Sequence, residues 1–189
     1  MKYNVHGNGF LQLQINERQR IHIWHPSIPK QKYPTPIHDH KFSFHSTIIF
    51  GRLLNVRYSV DRAPITGGYR VFMPGRNTTP NIDAKLVRHE HHPDTVRISE
   101  CSQLVHGQYE TYHMPSKQFH ETIAIGPTVT LMNMGDVFTN YTPRILCPVN
   151  QHPDNEFNRL TAMELSEVLS VIMAFPTPVV DFLNEHWRP

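Results

Sequence analysis

Short runs of alternating or β-branched residues dominate the chain up to about residue 145. Side chains of a strand point alternately to its two faces, so such runs predict half-buried strands. Turn-forming pairs such as Gly67-Gly68, Pro74-Gly75 and Pro93-Asp94 separate them. We assign strands to residues 10–15, 20–24, 46–58, 69–72, 84–89, 95–99, 108–113, 121–125 and 128–134. Many short strands with such turns predict an all-β sandwich or barrel.

The C-terminal tail follows a different pattern. Apolar residues recur with a period near 3.6 between residues 156 and 174, which predicts an amphipathic helix. Thr177-Pro178 is typical of an N-cap followed by proline at the first helical position, so a second short helix runs to about Trp187. We therefore expect a β-domain at residues 1–150 and a helical extension at residues 151–189 that packs on it.

Composition and charge exclude several classes of function. The 189 residues carry a formal net charge of +2 with no basic run, so we expect neither nucleic acid nor a membrane as a partner. The first residues contain no apolar signal-peptide core, so we expect a cytoplasmic protein. Cys101 and Cys147 are then expected to be reduced thiols, with Cys101 buried and inert.

Histidine is the unusual residue, with 14 in the chain, and three of them lie between residues 38 and 45. His38 and His40 are two positions apart, so on an extended strand both leave the same face and can bind one metal ion. Asp39 faces the other way and is expected to support them. The best third ligand is His120, which follows a glycine turn, a short strand and Pro115.

The same residues resemble the two motifs of the cupin superfamily. The first motif reads His38-x-His40, four residues, His45, five residues and Gly51. The second reads Pro115-x-Lys117-x-x-His120 after the turn at residue 107, with lysine where cupins have glycine. The resemblance covers about residues 37–134. It implies a double-stranded β-helix, or jelly-roll cupin barrel, here followed by the helical pair.

The first motif is also similar to that of the cysteine dioxygenase-like cupins, which hold iron with three histidines. That resemblance implies His38, His40 and His120 as iron ligands, with His45 at the position of the usual cupin glutamate. The strand after the last ligand carries Thr130, Met132 and Met134 where those enzymes have Ser-x-His-x-Tyr. The polar relay of thiol oxidation is therefore missing.

Several alternatives stay open at this level. His45 lies on the opposite face of a regular strand unless a bulge or bend intervenes, so its place as a fourth metal ligand stays open. If it does not bind the metal, it can serve as a general base near it. Tyr112 lies on the approach to the second motif and either reaches the site or fills the barrel. The histidines of residues 89–92 also have His-x-His spacing, but a solvated strand end or turn explains them better.

The predicted function follows from this constellation. We expect a mononuclear metal-binding cupin, foremost a non-haem Fe(II) dioxygenase that acts on a small polar or anionic molecule. Zn, Ni and Cu are alternative metals because imidazole binds all of them. The second hypothesis is a non-catalytic cupin, either a sensor or a structural protein, that binds a metal or a ligand. A homodimer is a further expectation from the resemblance.

Overall fold

The computed structural model describes residues 2–30, 36–62, 68–74, 89–152 and 163–187. Within these ranges the chain forms eleven strands and two helices. The strands are β1 (Tyr3–His6), β2 (Phe10–Gln14), β3 (Gln19–Trp24), β4 (Phe42–Phe50), β5 (Leu53–Arg62), β6 (Tyr69–Pro74), β7 (His89–His106), β8 (Thr111–Met114), β9 (Phe119–Ala124), β10 (Thr128–Val137) and β11 (Ile145–Pro148). The helices are α1 (Leu165–Met173) and α2 (Thr177–His186).

The strands pair as two antiparallel sheets. The six-stranded sheet has the order β1-β2-β3-β10-β4-β8, and the five-stranded sheet has the order β11-β6-β7-β5-β9. Strands distant in sequence become neighbours, because β10 lies between β3 and β4. The prediction of a mainly β fold with a C-terminal helical pair is thus confirmed, and the arrangement is consistent with a β-sandwich. Closure into a barrel stays a prediction.

The two helices cover one face of the six-stranded sheet. Their apolar side chains share a single core cluster with residues of β1, β2, β3 and β10. The most deeply buried members are Val5, Leu11, Leu13, Ile21, Ile23, Val129, Val168, Leu183 and Trp187. Each such side chain contributes about 1.5–3 kcal/mol by leaving water. This core fixes the sheet from outside and leaves its other face for the interior of the sandwich.

The inner faces of the two sheets meet in a second cluster. Leu53 of β5 packs there with side chains of the six-stranded sheet, and Ala124 of β9 lies against it. The buried partners are Phe42, Phe44, Ile48, Tyr112, Met114 and Met132. Met132 and the partly buried Met134 are therefore packing residues.

Two strand predictions were wrong in detail. The run at residues 46–58 is two strands, because Gly51 turns the chain with a φ of +82°. The turn expected at Pro93-Asp94 is also wrong, since both residues lie inside β7. The side chains of the histidine run at residues 89–92 lie outside the described part. The start of the strand predicted at residues 84–89 also lies outside the described residues. So does the start of the helix predicted from residue 156.

The ends of the helices follow local rules. In α1 the Glu164 carboxylate accepts from the backbone of Glu167, and Glu167 Oε2 accepts from the Glu164 N–H at 2.7 Å. This reciprocal capping satisfies amides that the first turn leaves unpaired. Helix α2 begins at Thr177 with Pro176 as its N-cap, one residue before the cap expected from the sequence.

Two findings bear on the remaining expectations. Cys147 is buried, but Cys101 is exposed, so the expectation of a buried Cys101 was wrong. Among the described residues, no helix combines the length and apolar character needed to cross a membrane.

Candidate metal centre

His38, His40 and His120 come together in one group. Their candidate ligand atoms all lie within 4.8 Å of one another. The ring centroid of His38 is 4.8 Å from those of both His40 and His120, and the His40 and His120 centroids are 5.2 Å apart. His120 is buried, whereas His38 and His40 are partly exposed. The group thus has one side toward the interior and one side that solvent reaches.

Backbone hydrogen bonds hold the two motifs in register. The His38 N–H donates to the His120 carbonyl at 3.1 Å, and the His120 N–H donates back to the His38 carbonyl at 3.0 Å. Beside them, the Lys117 N–H donates to the His40 carbonyl at 2.8 Å. Lys117 has a φ of +63°, in the left-handed region that favours glycine. Lys117, at the position where the resembling motif has glycine, therefore has a backbone conformation typical of glycine.

Asp39 anchors the segment between the first two histidines. Its side chain is buried and accepts hydrogen bonds from the Tyr141 hydroxyl and from the Arg144 backbone N–H at 2.6 Å. The Arg144 guanidinium adds contacts through Nε at 3.0 Å and Nη2 at 2.9 Å. A buried carboxylate that accepts from this many donors is held in one orientation. Asp39 therefore locks the backbone from which His38 and His40 project.

The ring nitrogens of two histidines are already oriented for a ligand. His38 Nδ1 lies 2.8 Å from the Pro36 carbonyl, which can only accept, so Nδ1 carries the proton and Nε2 keeps its lone pair. His120 Nδ1 lies 3.5 Å from Thr122 Oγ1, whose hydroxyl donates to Asn55 Oδ1 at 2.9 Å. Metal-binding histidines commonly have such a partner on the second nitrogen.

His120 Nε2 supplies the test of whether a metal fits. This atom is buried and has no hydrogen-bond partner among the described residues. A buried polar atom without a partner costs about 1–3 kcal/mol, so its persistence needs an explanation. With two further imidazoles beside it, a divalent ion satisfies that atom. The donor set is what imidazole-preferring metals such as Zn, Cu, Fe and Ni accept.

The electrostatics favour the ligating form of all three rings. Removal from water lowers the pKa of His38, and it lowers the pKa of His40 and His120 well below the usual value. The neighbouring rings add to the shift, because His38 and His120 disfavour a positive charge on His40. All three imidazoles are therefore neutral at pH 7, which is the state that binds a metal.

Buried polar atoms lie on the inner face of the six-stranded sheet, and two of the residues that carry them, Arg20 and His22, act on His40. His22 lies opposite Thr130 on β10, and Arg20 lies opposite Met132, so both side chains share the inner face of the six-stranded sheet. Burial, helped by Arg20, lowers the pKa of His22 to about 3. Arg20 and His22 also lower the pKa of His40. Buried atoms of this sheet that have no hydrogen-bond partner among the described residues are Asn4 Oδ1, Gln14 Oε1, Arg20 Nε, His22 Nε2 and Thr130 Oγ1.

Aromatic rings separate the histidines from the packed core. The Phe42 ring stacks on His40 with centroids 5.0 Å apart, and Phe44 lies 5.4 Å from His40 and 6.0 Å from His120. Tyr112 is buried behind Phe44, 6.1 Å away. Burial raises the pKa of Tyr112, although hydrogen bonds with the side chains of Ser46, Asn55 and Thr122 oppose that rise. Tyr112 thus hydrogen-bonds with the Asn55–Thr122 pair, and its part in the chemistry stays a prediction.

His45 is not part of the group. On β4 the side chains of Phe44 and Ser46 are buried, while His45 between them is exposed. The register of β4 with β10 shifts between Met134 and Val137, but the additional residue lies on β10, and Phe42 and Phe44 stay buried on one face of β4. His45 itself pairs in regular register with His113 of β8. The structure therefore corrects the expectation that His45 is a fourth ligand or a base beside the metal, and regular strand alternation is the reason.

Several residues that support the site had no detectable signal in the sequence. Tyr141 and Arg144 reach Asp39 across more than 100 positions of the chain. Asn55 and Thr122 meet because β5 and β9 are neighbours. Contacts of this range depend on the fold, and no local motif marks them.

Comparisons with known proteins give the following result. No protein-family model and no curated protein matches the chain. Among solved structures with a partial likeness is hydroquinone 1,2-dioxygenase from Sphingomonas sp. TTNP3 with 4-hydroxybenzoate bound, at 6% identity and a TM-score of 0.32. The match covers 65% of this chain and 62% of that one.

Two other solved structures are similar to the same degree. One is the hydroquinone 1,2-dioxygenase PnpCD in complex with Cd²⁺ and 4-hydroxybenzonitrile, at 7% identity and a TM-score of 0.32, covering 64% of this chain and 60% of that chain. The other is an oxalate oxidase, at 14% identity and a TM-score of 0.32, covering 95% of this chain and 71% of that one. The chain spans less than two thirds of both hydroquinone dioxygenases. What is stated about the fold and the chemistry of this chain therefore depends on its own residues alone.

Proposed function

We propose that the chain is a mononuclear metal-binding cupin in which His38, His40 and His120 hold one divalent metal ion. The observation that carries this proposal is the buried Nε2 atom of His120, which has no hydrogen-bond partner among the described residues and lies beside two further imidazoles. The contacts of His38 Nδ1 with Pro36 and of His120 Nδ1 with Thr122 support this proposal. Each contact engages Nδ1 and so leaves Nε2 of the same ring for the ion.

We further propose that the metal is Fe(II) and that the protein is a dioxygenase. Three neutral imidazoles leave the full +2 charge on the ion and leave positions open for other ligands. A bound Fe(II) ion would supply the electrons that O₂ needs to react with an organic molecule. The solvent-reached side of the group, formed by the partly exposed His38 and His40, would give both molecules access.

The polar side chains beside His40 support a proposal for the class of substrate. Arg20 Nε is a buried donor without a partner among the described residues, so an anionic group such as a carboxylate fits it. Gln14 pairs directly with Arg20, and its Oε1 is a buried acceptor, so it suits a hydroxyl or amino group. A small carboxylate that carries a hydroxyl, amino or thiol group would satisfy both kinds of atom.

Oxygen consumption tests this function. The metal-free protein is loaded with Fe(II) under anaerobic conditions and mixed with O₂ and a panel of small hydroxy-, amino- and thiol-carboxylates. We expect O₂ uptake that depends on both iron and one substrate class, and its loss in His120→Ala. Arg20→Gln should raise KM more than it lowers kcat, because Arg20 is proposed to bind the substrate and not to react.

Arg18→Gln is the matched control, since Arg18 is exposed on the turn that precedes β3. Its kinetic constants should equal those of the wild type. Equal KM effects in Arg20→Gln and Arg18→Gln would contradict the proposed substrate contact.

The second candidate function is a non-catalytic cupin that binds a metal or a ligand. One observation favours it: on β10, Thr130 and Met132 occupy the inner face where the resembling thiol dioxygenases carry a polar relay. Metal binding without O₂ uptake for any member of the panel would support this alternative.

A further inference from the structure

A second pair of histidines lies on the opposite face of β4. His45 and His113 stand directly across from each other in the antiparallel pairing of β4 and β8. Their ring centroids are 4.7 Å apart, and the ring planes are inclined by 33°. Both residues are exposed. This pair shares no residue with the three-histidine group and faces solvent.

Neighbouring contacts hold the two rings opposite each other. The next pair on the same face is Thr47 and Thr111, whose hydroxyl oxygens are 2.7 Å apart. Directly opposite residues on one face of a sheet have Cβ atoms about 4.5–5.5 Å apart, which suits two imidazoles that share one ion. On β8 the His113 carbonyl also accepts a hydrogen bond from the Arg57 guanidinium. The register of the pair is therefore fixed from both strands.

We propose that His45 and His113 form a separate, solvent-facing site for a divalent transition metal ion, with water in the remaining positions. Imidazole is a good ligand for Ni(II) and Cu(II), and affinity rises along the series from Fe(II) to Cu(II). Both imidazoles are exposed, so binding a metal ion removes little of their hydration and requires no rearrangement of the core. The site goes beyond the proposed function, because it uses neither the buried histidines nor the polar side chains beside His40.

Calorimetric titration of the untagged, metal-free chain with Ni(II) tests the proposal. In a His120→Ala background, which lacks the buried site, the chain should still bind one Ni(II). Adding His45→Ala or His113→Ala should weaken that binding at least ten-fold. The two changes together should weaken it no further than either one, because the two rings form a single site.

The control is His152→Ala, an exposed histidine of the loop after β11. It should leave Ni(II) affinity unchanged. Unchanged affinity in His45→Ala or His113→Ala, or an equal loss in His152→Ala, would overturn the proposal and leave the pair as a cross-strand packing contact.

The wild-type background keeps the test valid if His120→Ala does not fold. There, His45→Ala should remove one bound Ni(II) per chain, whatever the number bound before. If the buried site fails to bind metal, the wild type should take up a single Ni(II) and lose it in His45→Ala. Failure of the proposed function is thus distinguishable from failure of this site.

Discussion

At the scale of single residues, the chemistry of the site depends on how each imidazole is held. His38 and His120 each have a partner on Nδ1, and His40 is fixed through its backbone carbonyl by Lys117. The carboxylate of Asp39 ties the same segment to Arg144. The affinity of the site for a metal should therefore depend on residues that do not touch the ion.

Asp39→Asn should weaken metal binding about 10–100-fold, the range found when partners behind a metal ligand are changed. Asparagine keeps the shape of the side chain, but its amide nitrogen cannot accept from Arg144 or Tyr141, so the segment that carries His38 and His40 loosens. Titration of the metal-free protein with Co(II), followed by its visible absorption, reports both affinity and ligand geometry. Asp136→Asn, at an exposed position, is the control and should match the wild type. Wild-type affinity and spectrum in Asp39→Asn would show that the anchor has no part in holding the ion.

The sequence predicted the residues that carry the chemistry better than their surroundings. His38, His40 and His120 were identified from spacing and from resemblance, and the structure brings them together. His45 was kept as an alternative because its parity depended on a bulge, and β4 is regular at that point. Which strands become neighbours is not encoded locally, so the Asn55–Thr122 pair had no detectable signal.

At the scale of elements, turns decide where the strands lie. The chain turns at Gly51 as it passes from β4 in the six-stranded sheet to β5 in the five-stranded sheet. Both histidine motifs depend on this turn, because β4 follows His38 and His40, and β5 pairs with β9, which carries His120. A side chain at Gly51 would place its Cβ 2.4 Å from the Pro127 carbonyl oxygen and 2.6 Å from Thr128 Oγ1. The turn between the two sheets therefore needs glycine for space as well as for its φ of +82°.

Gly51→Ala should destabilise the protein more than Gly126→Ala. Both glycines have similar angles, with φ of +82° and +84°, but a Cβ at Gly126 meets nothing within 4 Å. The shared cost of the left-handed backbone is about 1–2 kcal/mol. Steric conflict should add about 1–3 kcal/mol at Gly51 alone. Urea unfolding of both variants measures the difference, and equal free energies of unfolding would contradict the steric argument.

The element predictions were good where a pattern was local and poor where pairing decided. The alternation in β2, β3 and β10 and the helical period of α1 and α2 were readable, because one face of each element is buried. β7 continues through Pro93-Asp94. The register of β6 with β7 shifts at this point, between Arg70 and Phe72, so the two residues are accommodated within the strand. β1 was missed because four residues are too short to show a period.

At the scale of the whole molecule, the sandwich has one apolar covered face and an interior in which polar side chains adjoin an apolar cluster. The helices bury the outer face of the six-stranded sheet, while the inner face carries Arg20 and His22 next to the metal group. A buried neutral histidine couples folding to pH. His22, with a pKa of about 3 in the folded state, takes up a proton when the chain unfolds at intermediate pH.

The free energy of unfolding of the metal-free protein should therefore fall as the pH drops. The folded pKa of His22 is lowered, so its contribution is present above the unfolded value of about 6.5 and is lost between there and about 3. One such histidine adds a slope of up to about 1.4 kcal/mol per pH unit. His22→Gln should reduce the slope by that amount in urea unfolding at pH 7, 6 and 5. An unchanged slope would mean that His22 is as easily protonated in the folded state as in the unfolded chain.

The most direct test of the account is the metal content of the chain after anaerobic loading with Fe(II) and desalting, measured by inductively coupled plasma mass spectrometry. The account predicts about one iron per chain in the wild type and in His45→Ala, and almost none in His120→Ala. Circular dichroism should show that His120→Ala is folded. A wild type that retains no metal, or a His120→Ala variant that retains as much as the wild type, would contradict the three-histidine centre.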